Sequence, residues 1–283
     1  MITEQELLNE YKKYDYLNED IKHPLVKILV NYIKPSFLFK SEILTPTQLG
    51  KAVEKEDSKD GVQSDENLKW LHENCQFNDD FVGGISEYNR RIGFLTGTYW
   101  AWKNYEKLGN PEYIGSFGYR RLLNPEFLED IERYDVVLPK ELGFRRISIK
   151  KQMILFHGQE ILNFMQTIFA KVYPEEETKL LNYLERKNGY FWEIYVMKKE
   201  IFFDFCNWIF PLLFAYLNED NIELLYSDMR DIGFVMERLT GYYCYKLVQN
   251  NLLKIKQTDM ILTEKVLVNK KYASLCLRML EKN

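Results

Sequence analysis

The sequence predicts an α/β fold: one domain with a mixed, mostly parallel sheet flanked by helices, and extra helices at both termini. Three observations carry this. The short apolar runs Lys27–Asn31, Tyr113–Phe117 and Tyr134–Leu138 have strand length and alternate with segments of helical period. No repeat or linker divides the 283 residues, which are enough to bury one large core. Hydrophobic residues make up 46% and charged residues 28%, the mix of a globular chain. With 14 Gly and 8 Pro, collagen-like and low-complexity classes are excluded. The net charge of −4 gives no overall basic field, so no nucleic-acid partner is expected.

Taken in order, Leu7, Leu8, Tyr11 and Tyr14 predict an N-terminal helix over residues 2–20, which His23-Pro24 breaks. Residues 1–26 are read as a helical extension, 27–250 as the main domain and 251–283 as a strand-and-helix extension. After the first strand, Thr45-Pro46 reads either as a ligand-binding loop or as a helix cap. The acidic stretch 54–84 reads as a mobile loop with one short helix at Leu68–Glu73. Ser86-x-x-Asn89 opens a helix that runs to Gly109, and Asn110-Pro111 is a turn. Strands follow at 113–117 and 134–138, helices at 148–171 and 175–187, a turn at Asn188-Gly189 and a strand at Tyr190–Val196. Helices then cover 199–217 and 229–249, a strand-like piece covers 259–262, and a helix ends the chain.

Four well-separated Cys and the polar start MITEQELLNEYKKYDY predict a reduced, cytoplasmic protein. The apolar stretch from Ile194 to Leu217 carries Lys198, Lys199, Glu200 and Asp204, so it reads as a buried helix. Phosphate-loop, dinucleotide, nucleophile-elbow and zinc-protease motifs are absent, as is any Asp-x-Asp. His157, in an apolar helix, reads as a structural residue.

The segment ISEYNRRIGFLTGTYWAWKN followed by YIGSFGYRRLL resembles the bacterial family called domain of unknown function 4422. There a phrase like NISELNPYYCELTGLYWIWKN precedes YIGLCHYRRYF. LTPTQLGKA, DVVLP, VMKKEIFFDFCNWIFPLLF and RDIGFVMERL match further blocks in the family order. The resemblance implies a glycosyltransferase-like domain of the GT-A (Rossmann-like) type, acting in capsule, O-antigen or lipooligosaccharide synthesis. It implies a hexosyltransferase-like enzyme that moves a sugar from a nucleotide-sugar donor, a UDP-sugar, to a glycan or lipid-linked glycan, with peripheral contact at the inner face of the membrane. The alternative is an inert nucleotide-sugar or glycan-binding module, or an assembly partner, with the same fold. The chain departs from the family phrases at Gly93-Phe94 (usually Cys-Glu), Gly118 (usually His) and Glu193 (usually Asn), and its residues 54–84 are more extended.

In this reading Arg120 and Arg121 stabilise the departing diphosphate, where GT-A enzymes commonly hold a metal on Asp-x-Asp. A divalent Mn or Mg ion is left open as cofactor, with no metal ligands assigned. If the strand continues, only one of the two Arg side chains reaches the ligand; the alternative is a surface pair with Glu126 or Glu129. Glu237 is the candidate base for the acceptor hydroxyl, with Asp228 and Asp231 as rivals or caps. Thr45, Gln48, Lys51, Ser86, Asn89, Thr96, Lys103 and Tyr119 are candidate donor-binding residues. Caps at Thr45, Ser86 and Asn89 and an aromatic core helix around Thr96–Lys103 are the competing readings.

Overall fold

The computed structural model describes residues 2–19, 22–57, 61–143, 147–218 and 231–263. The terminal helix expected after residue 263 and Asp228 lie outside them.

The chain opens with α1 (Glu4–Lys12), started by a capping box between Thr3 and Glu6. Then come β1 (Val26–Tyr32), β2 (Leu44–Gln48), α2 (Asp65–Asn74) and β3 (Phe77–Asn78). Next are α3 (Asn89–Ile92), α4 (Leu95–Lys103), β4 (Tyr113–Gly118), β5 (Arg121–Leu123), β6 (Val136–Pro139) and β7 (Leu142–Gly143). The remainder is α5 (Ile149–His157), α6 (Gln159–Val172), α7 (Glu177–Leu184), β8 (Asn188–Gly189), β9 (Tyr195–Lys198), α8 (Lys199–Leu217), α9 (Asp231–Gln249), β10 (Ile255–Thr258) and β11 (Met260–Leu262).

The central sheet runs β10-β6-β9-β4-β1-β2-β3. β9 alone on this path runs antiparallel to its neighbours, and β5 and β11 add antiparallel strands beside β4. Alternate residues of each strand enter separate cores. Leu29, Ile114, Val136, Leu138 and Met197 face α4, α6, α8 and α9, whereas Ile28, Val30, Phe117, Val137 and Val196 face α1 and the helical turns at 125–133. Burial on both faces explains why β1 reads as a continuous apolar run.

Several local expectations change. Leu44–Gln48 is a strand, not a helix start, and Thr45 pairs with Leu29. Pro46 fits because its carbonyl, and so its missing N–H, faces the β3 side, where pairing in register begins only at Thr47. The acidic segment holds a ten-residue helix, α2, and supplies the edge strand β3. The helix expected over 86–109 is broken at Gly93 (φ 60), a backbone region that L side chains rarely enter. The helix expected over 148–171 breaks likewise at Gly158. Asn188-Gly189 is a short strand paired with β7, and of the strand expected over 190–196 only Tyr195 and Val196 belong to β9. β10 and β11 join the central sheet from the segment read as a C-terminal extension. Helix α8 spans the predicted residues, and ten of its side chains are buried. Its length and composition alone would let it cross a membrane; its packing between α6, α9 and the sheet explains its apolarity.

Candidate functional site

A cleft of about 600 Å³ opens where β1, β2 and β4 end, the usual place for ligands on such sheets. One end holds the apolar wall of the cleft, Ile33, Leu49, Val53, Leu68 and Leu71, together with the polar Gln48, Glu54, Gln63 and Arg90. The other is charged and aromatic, formed by Arg120, Arg121, Trp192, Glu193, Phe234 and Glu237.

The apolar end rests on Asp79, which the sequence reading missed. Its side chain is fully buried at the exit of β3. It accepts hydrogen bonds from the Gly50 and Lys51 amides (2.7 and 3.0 Å) and the Ser86 and Thr96 hydroxyls (both 2.5 Å). The segments at Gly50–Lys51 and at Ser86–Thr96 are thereby pinned to one point. Gly50 has a left-handed backbone (φ 69), and a Cβ there would meet the Asn89 amide at 2.8 Å, so only glycine fits. Nearby, Lys51 and His72 reach Glu54 at 2.7 and 2.8 Å, and the Gln48 amide donates to it at 2.7 Å. Burial pushes the Glu54 carboxyl up, but the hydrogen bonds from His72, Lys51 and Gln48 outweigh it and hold it below its usual range.

At the charged end, β4 turns back at Tyr119 and Arg120 so that Gly118 pairs with Arg121. The hairpin breaks the strand alternation, and both guanidinium groups line the cleft instead of one. Arg121 lies 4.7 Å over the Trp192 ring. Burial makes its guanidinium easier to deprotonate, Glu237 opposes this and Arg120 adds to it; an arginine nonetheless stays charged. Glu237 projects from α9 and is paired with the buried Arg238, which Gln152 holds at 2.8 Å.

Trp192 and Glu193 both have left-handed backbones (φ 72 and 53), which cost non-glycine residues roughly 1–3 kcal/mol each. Glu193 is 9% exposed, and its Oε1 is buried without a hydrogen-bond partner. Leaving such a group unsatisfied costs about 1–3 kcal/mol more. Burial, reinforced by Glu237, pushes its carboxyl well above the usual range.

The structure brings Gln48, Asn89, Arg120, Arg121 and Glu237 of the expected set into the cleft. Thr45 is buried inside β2, and Ser86 and Thr96 direct their hydroxyls to Asp79. Lys51 stands behind Glu54. Lys103 lies over the Trp102 ring at 3.4 Å, outside the cleft lining, and the Tyr119 ring stacks on Tyr32. Asp231 is described only as the first residue of α9. His157 stacks on Phe234. The three departures from the family phrases converge: a Cβ on Gly118 would lie 3.0 Å from the Phe94 ring, and Phe94 and Glu193 line the same cleft. The left-handed pair at 192–193 and the Asp79 node have no periodic signature; the one sequence signal was the departure from the family phrase at Glu193.

Among the described residues no group of three or more His, Cys, Asp or Glu converges as a metal site. Two arginines and two carboxyl groups line the charged end, a set that fits an anion with attached hydroxyls.

The chain is similar to a solved structure titled "WbbM bifunctional glycosytransferase apo structure", with 26% identity and a TM-score of 0.63, over 84% of this chain and 45% of that one. The match thus spans less than half of that bifunctional protein. No curated protein matches the chain. The fold is therefore glycosyltransferase-like, and the sequence profile of the domain of unknown function DUF4422 matches residues 27–251. The chain belongs to the DUF4422 family.

Proposed function

We propose that the protein is a glycosyltransferase that transfers a hexose from a nucleotide-sugar donor, a UDP-sugar, to a hydroxyl of a growing glycan. The observation that carries this reading is one cleft with an apolar wall, two arginines at the exit of β4 and a carboxyl group, Glu237, whose charge acts on Arg121. The acceptor oxygen attacks the anomeric carbon, the bond from that carbon to the diphosphate breaks, and the nucleoside diphosphate leaves with the electron pair. Arg120 and Arg121 supply positive charge where negative charge grows on the leaving group. Glu237, oriented by Arg238, takes the proton of the acceptor hydroxyl if the transfer inverts the anomeric centre. The similarity to a bifunctional glycosyltransferase supports the reaction class. We place the acceptor among bacterial surface polysaccharides, lipid-linked and met at the inner face of the membrane, by the family resemblance alone.

Titrating UDP, GDP and CMP and their sugars into the protein, with manganese or with EDTA, tests the donor site. One nucleotide family is expected to bind with a Kd little changed by EDTA. Glu237→Gln is then expected to keep nucleotide affinity and lose roughly 10²–10⁴ in transfer rate. Transfer at the wild-type rate would move the base elsewhere. Phe94, seated on Gly118 at the floor of the charged end, favours a second reading in which the cleft binds a nucleotide sugar without turnover. Donor hydrolysis or transfer excludes it.

A further inference from the structure

Glu193 is the one acid of the charged end that the proposed reaction leaves without a task. Its neighbours form a path across the cleft. Arg121 touches the Trp192 ring, Glu193 follows Trp192 in the chain, and Glu193 feels the charge of Glu237. The leaving diphosphate belongs at the arginine end of this path and the acceptor hydroxyl at the Glu237 end. In the donor reading the transferred group lies in the part of the cleft that Glu193 also lines.

We propose that Glu193 is the residue that recognises the transferred sugar, by donating a hydrogen bond to one hydroxyl and accepting one from its neighbour, and that it selects uncharged hexoses. This rests on the donor reading above. The geometry supports it independently of titration: the carboxyl group is nine-tenths buried, lines the cleft and lacks a protein partner for Oε1. Two consecutive left-handed residues hold it there. A group kept unsatisfied on a strained backbone is kept for a ligand.

Protonation then sets the chemistry. Burial and Glu237 favour the neutral acid, which offers one O–H donor and one carbonyl acceptor, a match for vicinal hydroxyls. Besides Glu237, the titratable group coupled to it is the Tyr195 hydroxyl from β9, bonded to Thr98, and Arg120 and Arg121 of the hairpin line the same cleft. A uronate would bring a third carboxyl group beside Glu193 and Glu237 and is disfavoured. As pH rises and Glu193 ionises, the donor is lost and sugar recognition weakens.

The test is calorimetric titration of UDP, GDP, UDP-glucose, UDP-galactose, UDP-N-acetylglucosamine, GDP-mannose and UDP-glucuronate at pH 6.5 and 8.5. Wild type, Glu193→Ala and Glu193→Gln are compared. One neutral sugar nucleotide is expected to bind wild type about tenfold more tightly than its bare diphosphate, a gain of about 1.4 kcal/mol, and less so at pH 8.5. Glu193→Ala loses this preference while its affinity for the bare diphosphate stays within about twofold. Glu193→Gln, which keeps one donor and one acceptor, restores most of the preference and makes it independent of pH. Retention of the preference in Glu193→Ala, no preference in wild type for any neutral sugar, or tighter binding of UDP-glucuronate than of UDP-glucose overturns the inference. So does a Glu193→Gln variant as poor as Glu193→Ala, which would mean that the ionised carboxylate is needed. If Glu193→Ala does not fold, the pH response of Glu193→Gln decides alone. If no nucleotide binds wild type, the donor reading falls first, an outcome separate from all of these.

Discussion

Two buried acidic side chains serve the two ends of the cleft in opposite ways. Asp79 is fully buried and accepts four hydrogen bonds from the protein. Glu193 is almost as deeply buried, has an orphaned oxygen and sits on a left-handed backbone beside a second left-handed residue. Burial alone therefore does not distinguish a structural acid from a functional one. Hydrogen-bond satisfaction does: the first group stabilises the native fold through its partners, and the second lowers stability until something else binds.

The largest expected effect falls on the satisfied acid. Asp79→Ala leaves two backbone amides and two hydroxyls without their acceptor, at about 1–3 kcal/mol for each donor that stays dry. Urea unfolding should show a loss of about 3–5 kcal/mol. A loss below about 1 kcal/mol would break the contrast, because the node would then hold nothing. Next comes Arg121→Ala, which removes a half-buried cation held by the Trp192 ring and the field of Glu237. Bare nucleoside diphosphate affinity should fall about 10–100-fold, the worth of one or two charge-assisted hydrogen bonds. Stability should change by less than about 1 kcal/mol. Unchanged affinity would leave the leaving-group role to Arg120.

A smaller effect of opposite sign is expected at Glu193. In the unfolded chain its carboxyl ionises near the ordinary value of 4.5; in the folded protein it does so well above it. Between those two points the unfolded state has released a proton that the native state keeps. Stability is thus fully retained below about pH 4.5 and falls as pH rises through the folded value. Glu193→Gln carries no such group. It should match wild type in acid and exceed it at pH 8, by on the order of 1 kcal/mol, the scale of one unsatisfied buried group. Equal stability at both pH values would show that Glu193 has partners in solution and would erase the comparison. The smallest effect belongs to Gly118→Ala. Its methyl would press on the Phe94 ring from 3.0 Å and cost about 1 kcal/mol; in a double-mutant cycle, Phe94→Leu should recover most of that loss. Additive losses would mean that Phe94 and Gly118 do not share the floor of the charged end.

Legibility followed burial. β1, β4 and β6 were readable because strands covered on both faces are apolar throughout. Helix α8 was readable to the residue because Lys198 and Asn218 flank an apolar run too long for a strand. β2 was not: Leu44–Gln48 is polar and contains Pro46, and it is a strand because β1 needs a partner for its backbone groups, a demand set outside the segment itself. Of the site, the sequence by itself offered Arg120 and Arg121 as the candidate charges, because the Tyr119-Arg120-Arg121 phrase directly follows a strand and charge is a local property. That both arginines face the cleft, that Phe94 covers Gly118, that Asp79 is saturated and that Glu193 is left wanting were decided by the tertiary structure alone. Each depends on φ angles or on contacts between segments distant in sequence, and no periodicity within a single segment encodes either.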